Sequence, residues 1–260
     1  MFQHGKGRHT TQGHKGIPEG HFEEEQGRKG FFGPVSHLIK PQPSTRWTSI
    51  EGPLRPHLYD AVQLPKKFGH WQRMFFNVDI TLSFWHEAKM QGPARAAFRN
   101  ADADTLYFVH QGSGHVLTEF GVLNFSPGHY LLLPKCATHS FVCQTDATFL
   151  VIESHGSAFR EPDRGMVGRN AFYDPAAFGI PNLEELMALR SQREITRITV
   201  KRDGEFTHFD YTEDVFDTVG WKGDFFPVSL HIRDLMPMLS ARVHLPPSAH
   251  TTFVAHNFVV

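Results

Sequence analysis

Apolar and polar positions alternate most regularly in the middle of the chain. Between Trp71 and about Ser154, short runs of β-branched, aromatic and leucine residues are separated by turn signals, among them Gly112-Ser113-Gly114, Ser126-Pro127-Gly128 and Thr145-Asp146. Runs of this kind at nearly regular spacing are typical of an antiparallel sandwich or barrel. After residue 193, "REITRITVKRDGEFTHFDY" alternates similarly and predicts a half-buried hairpin that turns at Asp203-Gly204.

The flanking regions have different patterns. Residues 1–60 are rich in Gly, Pro and His and contain only short apolar islands, which predicts an extended N-terminal arm. The stretch "IPNLEELMALR" predicts a short helix, with Asn182 as its N-cap and Glu185 at the reciprocal position of a capping box. We therefore expect a mainly β chain with few short helices. Its predicted parts are the arm at 1–60, a barrel at 61–180, and a helix plus strands at 181–260.

The last residues, "HTTFVAHNFVV", resemble an apolar strand whose edge would be open. We therefore expect the sequence to continue beyond Val260, and the family resemblance described below implies that the strands of 181–260 lead into a second, incomplete barrel.

Composition narrows the function classes. With 26 basic and 27 acidic residues, the chain has no excess charge that would favour nucleic acid or an acidic membrane as a partner. Two cysteines, an N-terminus without an apolar signal core and no run of membrane-spanning length favour a cytoplasmic location. The 18 histidines raise the expectation of metal or proton-transfer chemistry. However, the spacing of His4, His9 and His14 fits neither a helix face nor a strand face, so it predicts no site by itself.

The segment "GHYLLLPKCATHSF" has a spacing that is typical of half a metal site. A glycine at 128, a proline at 134 and a histidine at 139 resemble the second conserved element of the cupin β-barrel, in which the histidine points into the barrel. Cys136 and Cys143 stand where that element usually has glycine and asparagine. The fold expected from this resemblance is a cupin-like antiparallel β-sandwich or barrel.

The other metal ligands of a cupin are missing. Counting back from the hairpin glycine at 112 places the glutamate position at Thr105 and the two histidine positions near Phe98 and Asn100, or one residue later at Arg99 and Ala101. A single imidazole from His139 holds a divalent ion poorly, because such ions take three or four protein donors. The sequence thus predicts a metal-free barrel, in which His139 is a hydrogen-bonded core or pocket residue. No metal ligand is assigned to this chain.

A wider resemblance is carried by several blocks in order. "FRNADADTLYFVHQGSGHVLTEFGVLNFSPGHYLLLP" resembles the non-catalytic cupin half of homogentisate 1,2-dioxygenases, including its Asn-x-Asp-x-Asp stretch and its Thr-Glu-Phe-Gly hairpin. "GPVSHL", "GRNAFYDPAAFGIP" and "DTVGWKGDFFPV" also agree. The resemblance extends from about Gly27 to the end of the chain.

This resemblance implies a mononuclear non-haem Fe(II) enzyme that opens the ring of homogentisate with O2, giving maleylacetoacetate in tyrosine and phenylalanine catabolism. It implies a small aromatic acid and O2 as partners, and a homo-oligomer. Its iron is held by two histidines and one glutamate in a second cupin, so those ligands are expected C-terminal to this chain. Residues 1–260 alone are therefore expected to bind no stoichiometric iron.

Two residues acquire expected roles from the resemblance. His244, in "HLPPSAH", matches the segment of the family's catalytic base, with His250 as the nearby competitor. Arg28, in "GRKGFFGPVSH", matches an arginine that reaches a neighbouring subunit's pocket and faces the substrate carboxylate, to which a guanidinium can donate two parallel hydrogen bonds. The alternatives are that His244 merely begins a strand and that Arg28 is a solvated arginine of the arm.

Two other functions remain open at this point. One is a cupin isomerase acting on a keto-sugar acid, which would still need a set of histidine and glutamate ligands. The other is a non-catalytic cupin that serves in binding or assembly.

Overall fold

The computed structural model describes residues 4–29, 32–237 and 251–260. These residues form two compact units. The first contains the described residues up to Pro65, together with Pro162–Met166, Pro237 and Thr251. The second contains Lys66–Glu161, Val167–Met236 and Thr252–Val260. His244 and His250 lie outside the described residues.

A β-hairpin is the regular element of the first unit. Strands β1 (Phe22–Lys29) and β2 (Phe32–Lys40) pair antiparallel from Phe22 opposite Lys40, with an irregularity between Gly27 and Lys29. A 3-10 turn follows at Ala61–Gln63. Most other described residues of this unit are exposed, as expected of a segment with few apolar runs.

Two six-stranded sheets make up most of the second unit. The first has the order β13-β12-β5-β10-β7-β8 and the second has the order β14-β9-β6-β11-β4-β3. Their strands are β3 (Trp71–Phe76), β4 (Ile80–Glu87), β5 (Ala94–Asn100), β6 (Ala103–Gln111), β7 (Gly114–Thr118), β8 (Gly121–Phe125), β9 (His129–Leu133), β10 (Thr138–Cys143), β11 (Ala147–His155), β12 (Arg193–Arg202), β13 (Glu205–Asp210) and β14 (Val228–His231). The predicted mainly β, cupin-like sandwich with few short helices is confirmed.

The core lies between the two sheets because alternate residues of the apolar runs point inward. Tyr107 and Val109 of β6 belong to this core, whereas Leu106 belongs to a separate cluster. Phe149 of β11, the strand next to β6, and Phe141 of β10 in the facing sheet complete it, and all of these side chains are at least nine-tenths buried.

Two further apolar clusters use other residues of the same strands. One joins Leu117 of β7 and Ile195 of β12 to Leu186 of helix α1 (Leu183–Ala188). The other joins Leu106 to Phe253 and Ala255, which are buried near the end of the chain. Among the described residues 251–260 the backbone forms only isolated bridges, such as Arg160 with Val254. The expected open-edged terminal strand is therefore wrong, because its apolar side chains pack into this cluster instead.

The hairpin predicted after residue 193 is confirmed as β12–β13. Asp203 and Gly204 both have positive φ, 53° and 77°, which matches the twist of a two-residue hairpin. Every residue of β13 is exposed, so within this hairpin only β12 contributes buried residues. Strand β12 also pairs parallel with β5 and thereby joins the barrel sheet.

The predicted helix is confirmed as α1, with Asn182 at the N-cap accepting a hydrogen bond from the Glu185 amide at 3.1 Å. Short 3-10 turns occupy Gly165–Val167, Pro175–Ala177, Leu189–Gln192 and Ile232–Asp234. In the described ranges, no helix has the length and apolar character that crossing a bilayer requires. The domain boundaries at 60 and 180 remain predictions.

Candidate functional site

His139, the histidine of the segment that resembles the second cupin element, lies inside the barrel and is 2% exposed. Its Nδ1 is 3.1 Å from the Ala137 carbonyl oxygen, and its Nε2 is 3.2 Å from the Tyr107 hydroxyl. Nδ1–H therefore donates to the carbonyl, and Nε2 accepts from the tyrosine. The rings of Phe98 and Phe141 contact the imidazole edge-to-face, with centroids 5.6 and 5.7 Å away.

Burial also fixes the charge of this pair. Loss of solvation lowers the pKa of His139 to about 4, against the partial opposition of its hydrogen bond to Ala137, so the imidazole is neutral at pH 7. Burial, reinforced by the negative charge of Glu153, raises the pKa of Tyr107 well above its usual value, so the hydroxyl keeps its proton.

The family-type iron does not fit this position. Both ring nitrogens of His139 are hydrogen-bonded, and Phe98 occupies one predicted ligand position with a ring that offers no donor atom. Within the described part of the chain, His139 belongs to no group of three potential ligands. The interior of this barrel therefore supports aromatic packing and hydrogen bonding rather than metal ligation.

A cavity of about 720 Å³ opens beside His139. Its walls combine aromatic side chains, among them Trp71, Trp85 and Phe98, with charged ones, among them Glu87 and Arg95. A cavity of this size and character suits a small apolar or aromatic molecule. Sequence reasoning did not identify Trp71 or Trp85 as cavity residues, because nothing in a strand pattern distinguishes a pocket wall from a core.

A buried polar cluster occupies the positions at which a metal-binding cupin would have its other ligands. Asn100 donates from Nδ2 to Thr105 Oγ1 at 2.9 Å and to Glu153 Oε1 at 2.8 Å. Lys201 of β12 forms an ion pair with the same glutamate oxygen, and its ammonium lies 5.3 Å from the Trp71 ring centroid. The Glu153 side chain is 2% exposed and that of Lys201 is 13% exposed, so this charge pair is largely shielded from water. Sequence reasoning missed it because its members come from four different strands.

The Asn-x-Asp-x-Asp stretch organises turns. Asn100 Oδ1 accepts from the Asp102 and Ala103 amides, and the Asp102 carboxylate accepts from the two amides of the β12–β13 turn at 2.6 and 3.0 Å. Asp104 accepts from the amides of Lys135 and Phe159. Burial raises the pKa of Asp104, while these two hydrogen bonds oppose the rise. All three residues of the stretch thus have structural roles.

Two of the blocks that carry the family resemblance meet in space. In the Thr-Glu-Phe-Gly block, Thr118 Oγ1 donates to the Gly121 carbonyl at 2.8 Å, which closes the β7–β8 turn. The ring of Phe120 packs edge-to-face on Trp221 of the Val-Gly-Trp-x-Gly block, with centroids 5.7 Å apart. Gly121 has φ +136°, and a Cβ there would lie 2.6 Å from the Asn182 carbonyl carbon, so glycine is required where α1 docks.

Cys136 has a strained backbone conformation at a position where the cupin element usually has glycine. Its φ is +69°, a left-handed conformation that glycine adopts without strain and cysteine does not. Its amide donates to the Asn100 carbonyl at 2.8 Å, which holds this turn in place. The glycine that the pattern expects here is thus explained by backbone geometry.

The predicted substrate-binding residue, Arg28, lies near the end of β1 in the first unit and is exposed. It stands at the irregularity of the β1–β2 pairing, between Gly27 and Lys29. The predicted base, His244, and its competitor, His250, lie outside the described residues, so their roles remain predictions. The first unit also brings together three potential ligands that sequence analysis did not connect, His14, Glu23 and His37.

Comparisons with known proteins agree with the family resemblance of the sequence. The chain is 29% identical over 259 residues to "Putative dioxygenase SSO1533" of Saccharolobus solfataricus, an alignment that covers 92% of this chain and 65% of that protein. It is 27% identical over 162 residues to a homogentisate 1,2-dioxygenase of Rhizobium johnstonii, covering 61% of this chain and 35% of that protein. The chain thus spans only part of the length of the curated relatives that it matches.

Among solved structures, a cupin superfamily protein of Desulfitobacterium hafniense is similar to 40% of this chain and 94% of its own, with 18% identity and a TM-score of 0.31. The family described as "Homogentisate 1,2-dioxygenase N-terminal" matches residues 76–232, which include both sheets except for part of the edge strand β3. Because this match covers more than half of the 260 residues, the chain belongs to the homogentisate 1,2-dioxygenase N-terminal family.

Proposed function

We propose that this chain is part of an Fe(II)-dependent dioxygenase that opens the ring of homogentisate with O2 to give maleylacetoacetate, in tyrosine and phenylalanine catabolism. The observation that carries the proposal is the family match over residues 76–232. The similarity to a relative named as a dioxygenase along 92% of the chain supports it. The substrate is a small aromatic acid, either homogentisate or a close relative of it.

The barrel around His139 does not fit an iron ion, so the proposal assigns the iron-holding residues to sequence C-terminal to this chain. What the described barrel offers instead is a rigid frame. Its core is packed with aromatic side chains, and its turns are held by the hydrogen bonds of Asn100, Asp102 and Asp104. A frame of this kind can support a neighbouring catalytic module without taking part in the chemistry.

Two residues of this chain are proposed to act on the substrate. Arg28 would bind the substrate carboxylate through two parallel N–H···O bonds, and its exposure near the end of β1 leaves its guanidinium accessible to a neighbouring subunit. His244 would accept the proton of a ring hydroxyl. The two prolines that follow it, in His244-Leu245-Pro246-Pro247, restrict the backbone and so favour one orientation of the imidazole.

The proposal also includes a homo-oligomer, because an arginine on an arm acts on a neighbouring subunit's pocket only in an assembly. Large apolar side chains of the first unit, such as Leu54 and Leu58, are exposed and support self-association.

The test is a ring-cleavage assay on this chain and, should the encoding sequence continue beyond Val260, on the longer product. O2 uptake and ring opening would be measured with homogentisate, with other dihydroxylated aromatic acids and with a keto-sugar acid, before and after loading with Fe(II). We expect iron-dependent O2 uptake with an aromatic acid from the protein that includes the ligands, and none from a chain without them.

Isomerisation of the keto-sugar acid without O2 uptake would overturn the proposal in favour of a cupin isomerase. Absence of activity in the longest encoded product, loaded with Fe(II), would overturn it in favour of a non-catalytic assembly protein.

A further inference from the structure

The first unit gathers three side chains with metal-binding atoms. One ligand atom from each of His14, Glu23 and His37 lies within 4.8 Å of the other two. Nδ1 of His14 is 2.5 Å from Glu23 Oε2, and Nδ1 of His37 is 3.3 Å from Glu23 Oε1. The glutamate therefore has one oxygen toward each imidazole.

Local structure brings these residues together. In the β1–β2 register, Glu23 is opposite Ile39 and Glu25 is opposite His37. Glu23 and His37 are thus diagonal neighbours on one face of the hairpin, a separation that long side chains bridge. The tight turn before β1 supplies His14, and it is closed by hydrogen bonds between the backbones of Thr11 and Lys15 at 2.9 Å and of Lys15 and Gln12 at 3.0 Å.

Burial leaves two polar atoms of this cluster without a hydrogen bond. The Glu23 side chain is only 10% exposed, and those of His14 and His37 are 20% and 24% exposed. Glu23 Oε1 and His37 Nδ1 are both shielded from solvent, and neither has a hydrogen-bond partner among the described residues. Two buried polar atoms of this kind, 3.3 Å apart, are unfavourable unless a group outside the pair, such as a cation that both can bind, satisfies them. The geometry of this contact does not make a hydrogen bond.

We propose that His14, Glu23 and His37 bind a divalent transition-metal ion, such as Zn²⁺ or Fe²⁺. Two imidazole nitrogens and one carboxylate oxygen are a ligand set that both ions accept. Bonds of about 2.0–2.2 Å place adjacent ligand atoms about 3–3.5 Å apart, and the Glu23–His37 contact already has this separation. The ion displaces the proton that His14 and Glu23 share, so binding releases a proton. The partly exposed side of the cluster leaves room for water ligands.

Such an ion would tie the turn that carries His14 to the hairpin that carries Arg28. The expected consequence is a more rigid arm, because the metal adds a cross-link between segments separated by local turns. This inference rests on the geometry of the first unit and not on the proposed function. It departs from the sequence expectation that assigned no metal ligand to this chain.

The experiment is calorimetric titration of the purified, metal-stripped chain with Zn²⁺, together with the visible absorption spectrum of the Co²⁺ form. We expect one tight site per chain. Glu23→Gln and His37→Gln should weaken it by about 10-fold or more, since removal of even an indirect partner of a metal ligand costs about 10- to 100-fold. Glu25→Gln, on the same face of β1, and His9→Gln, an exposed histidine outside the cluster, are the matched controls and should leave the affinity unchanged.

Metal-dependent protection of residues 11–40 from amide hydrogen exchange, lost in Glu23→Gln, would support the site independently of affinity. The proposal is overturned if Zn²⁺, Co²⁺ and anaerobic Fe²⁺ all fail to bind stoichiometrically, in which case the cluster is a proton-sharing contact. It is also overturned if the controls weaken binding as much as the cluster variants do. Neither result depends on ring-cleavage activity.

Discussion

At the scale of single residues, burial decides the charge of His139 and gives the chain a pH dependence. The pKa of this imidazole is about 4 in the folded chain, against an ordinary value of 6.5. The unfolded chain therefore binds the proton more readily, and stability falls as the pH drops from 6.5 to 4 and then levels off. A shift of this size corresponds to about 3 kcal/mol.

The prediction is that the free energy of unfolding of His139→Gln depends less on pH than that of the wild-type chain. The difference between the two should shrink by about 3 kcal/mol between pH 7 and pH 4, measured by urea unfolding at both pH values. All other titrating groups are common to both proteins, so they cancel. A difference that stays constant across this range would show that His139 protonates equally in the folded and unfolded chains.

The Lys201–Glu153 pair makes a second residue-scale prediction. Lys201→Met removes the cation and leaves a glutamate that is 2% exposed facing Asn100 alone, which should cost about 3–5 kcal/mol in urea unfolding. The double change Lys201→Met/Glu153→Gln should recover much of this loss, because no unpaired charge remains. Arg197→Met, which breaks an exposed pair on the same strand, is the control and should cost about 1 kcal/mol or less. Equal effects of the two single changes would refute the argument.

His244 carries the prediction that depends on the proposed activity. In a product with ring-cleaving activity, His244→Gln should lower turnover about 10²- to 10⁴-fold, the usual cost of removing a positioned base. Iron content should not change, because His244 is not proposed as a ligand. His250→Gln should have a much smaller effect. Survival of activity in His244→Gln with its loss in His250→Gln would show that the residues were aligned wrongly.

At the scale of elements, the cap of α1 is the most local feature of the fold. The Asn182 side chain satisfies the Glu185 amide, which has no partner within so short a helix. Asn182→Ala should therefore lower the free energy of unfolding by about 1 kcal/mol, whereas Asn182→Ser should preserve most of it. Thermal and urea unfolding would measure both. A full loss in the serine variant would mean that the asparagine acts through another contact.

Elements whose signals are local could be predicted from sequence, and elements that depend on distant partners could not. The helix at 183–188 and the turn at Asp203-Gly204 follow from capping and turn chemistry within a few residues. The parallel pairing of β12 with β5 brings together segments about a hundred residues apart, and no local pattern encodes it. The His14, Glu23 and His37 cluster was missed for the same reason, because its geometry depends on the β1–β2 register.

At the scale of the whole molecule, the spacing of the cupin element identified the residues at its other ligand positions, and the structure gives their contacts. Thr105 and Asn100 hydrogen-bond to each other, and Phe98 packs on His139. The ion pair of Lys201 with Glu153 could not be predicted, since Lys201 comes from a strand outside the cupin element. Arg28, proposed by resemblance to bind the substrate, lies in the first unit, so the barrel core does not depend on its side chain.

Self-association is the prediction that concerns the molecule as a whole. In the first unit, Leu54 is 89% exposed and Leu58 is 99% exposed. Contact of this apolar surface with water is unfavourable, and a second copy of the chain would cover it. Light scattering at micromolar concentration should show an oligomer. Leu54→Ser/Leu58→Ser should weaken association by at least about 10-fold, because burying one leucine contributes about 1.5–3 kcal/mol. Val78→Ser and Val219→Ser, each at a position that is 87% exposed in the second unit, should not change it. A monomeric wild-type chain, or equal weakening by the valine variants, would contradict the proposed role of the arm in assembly.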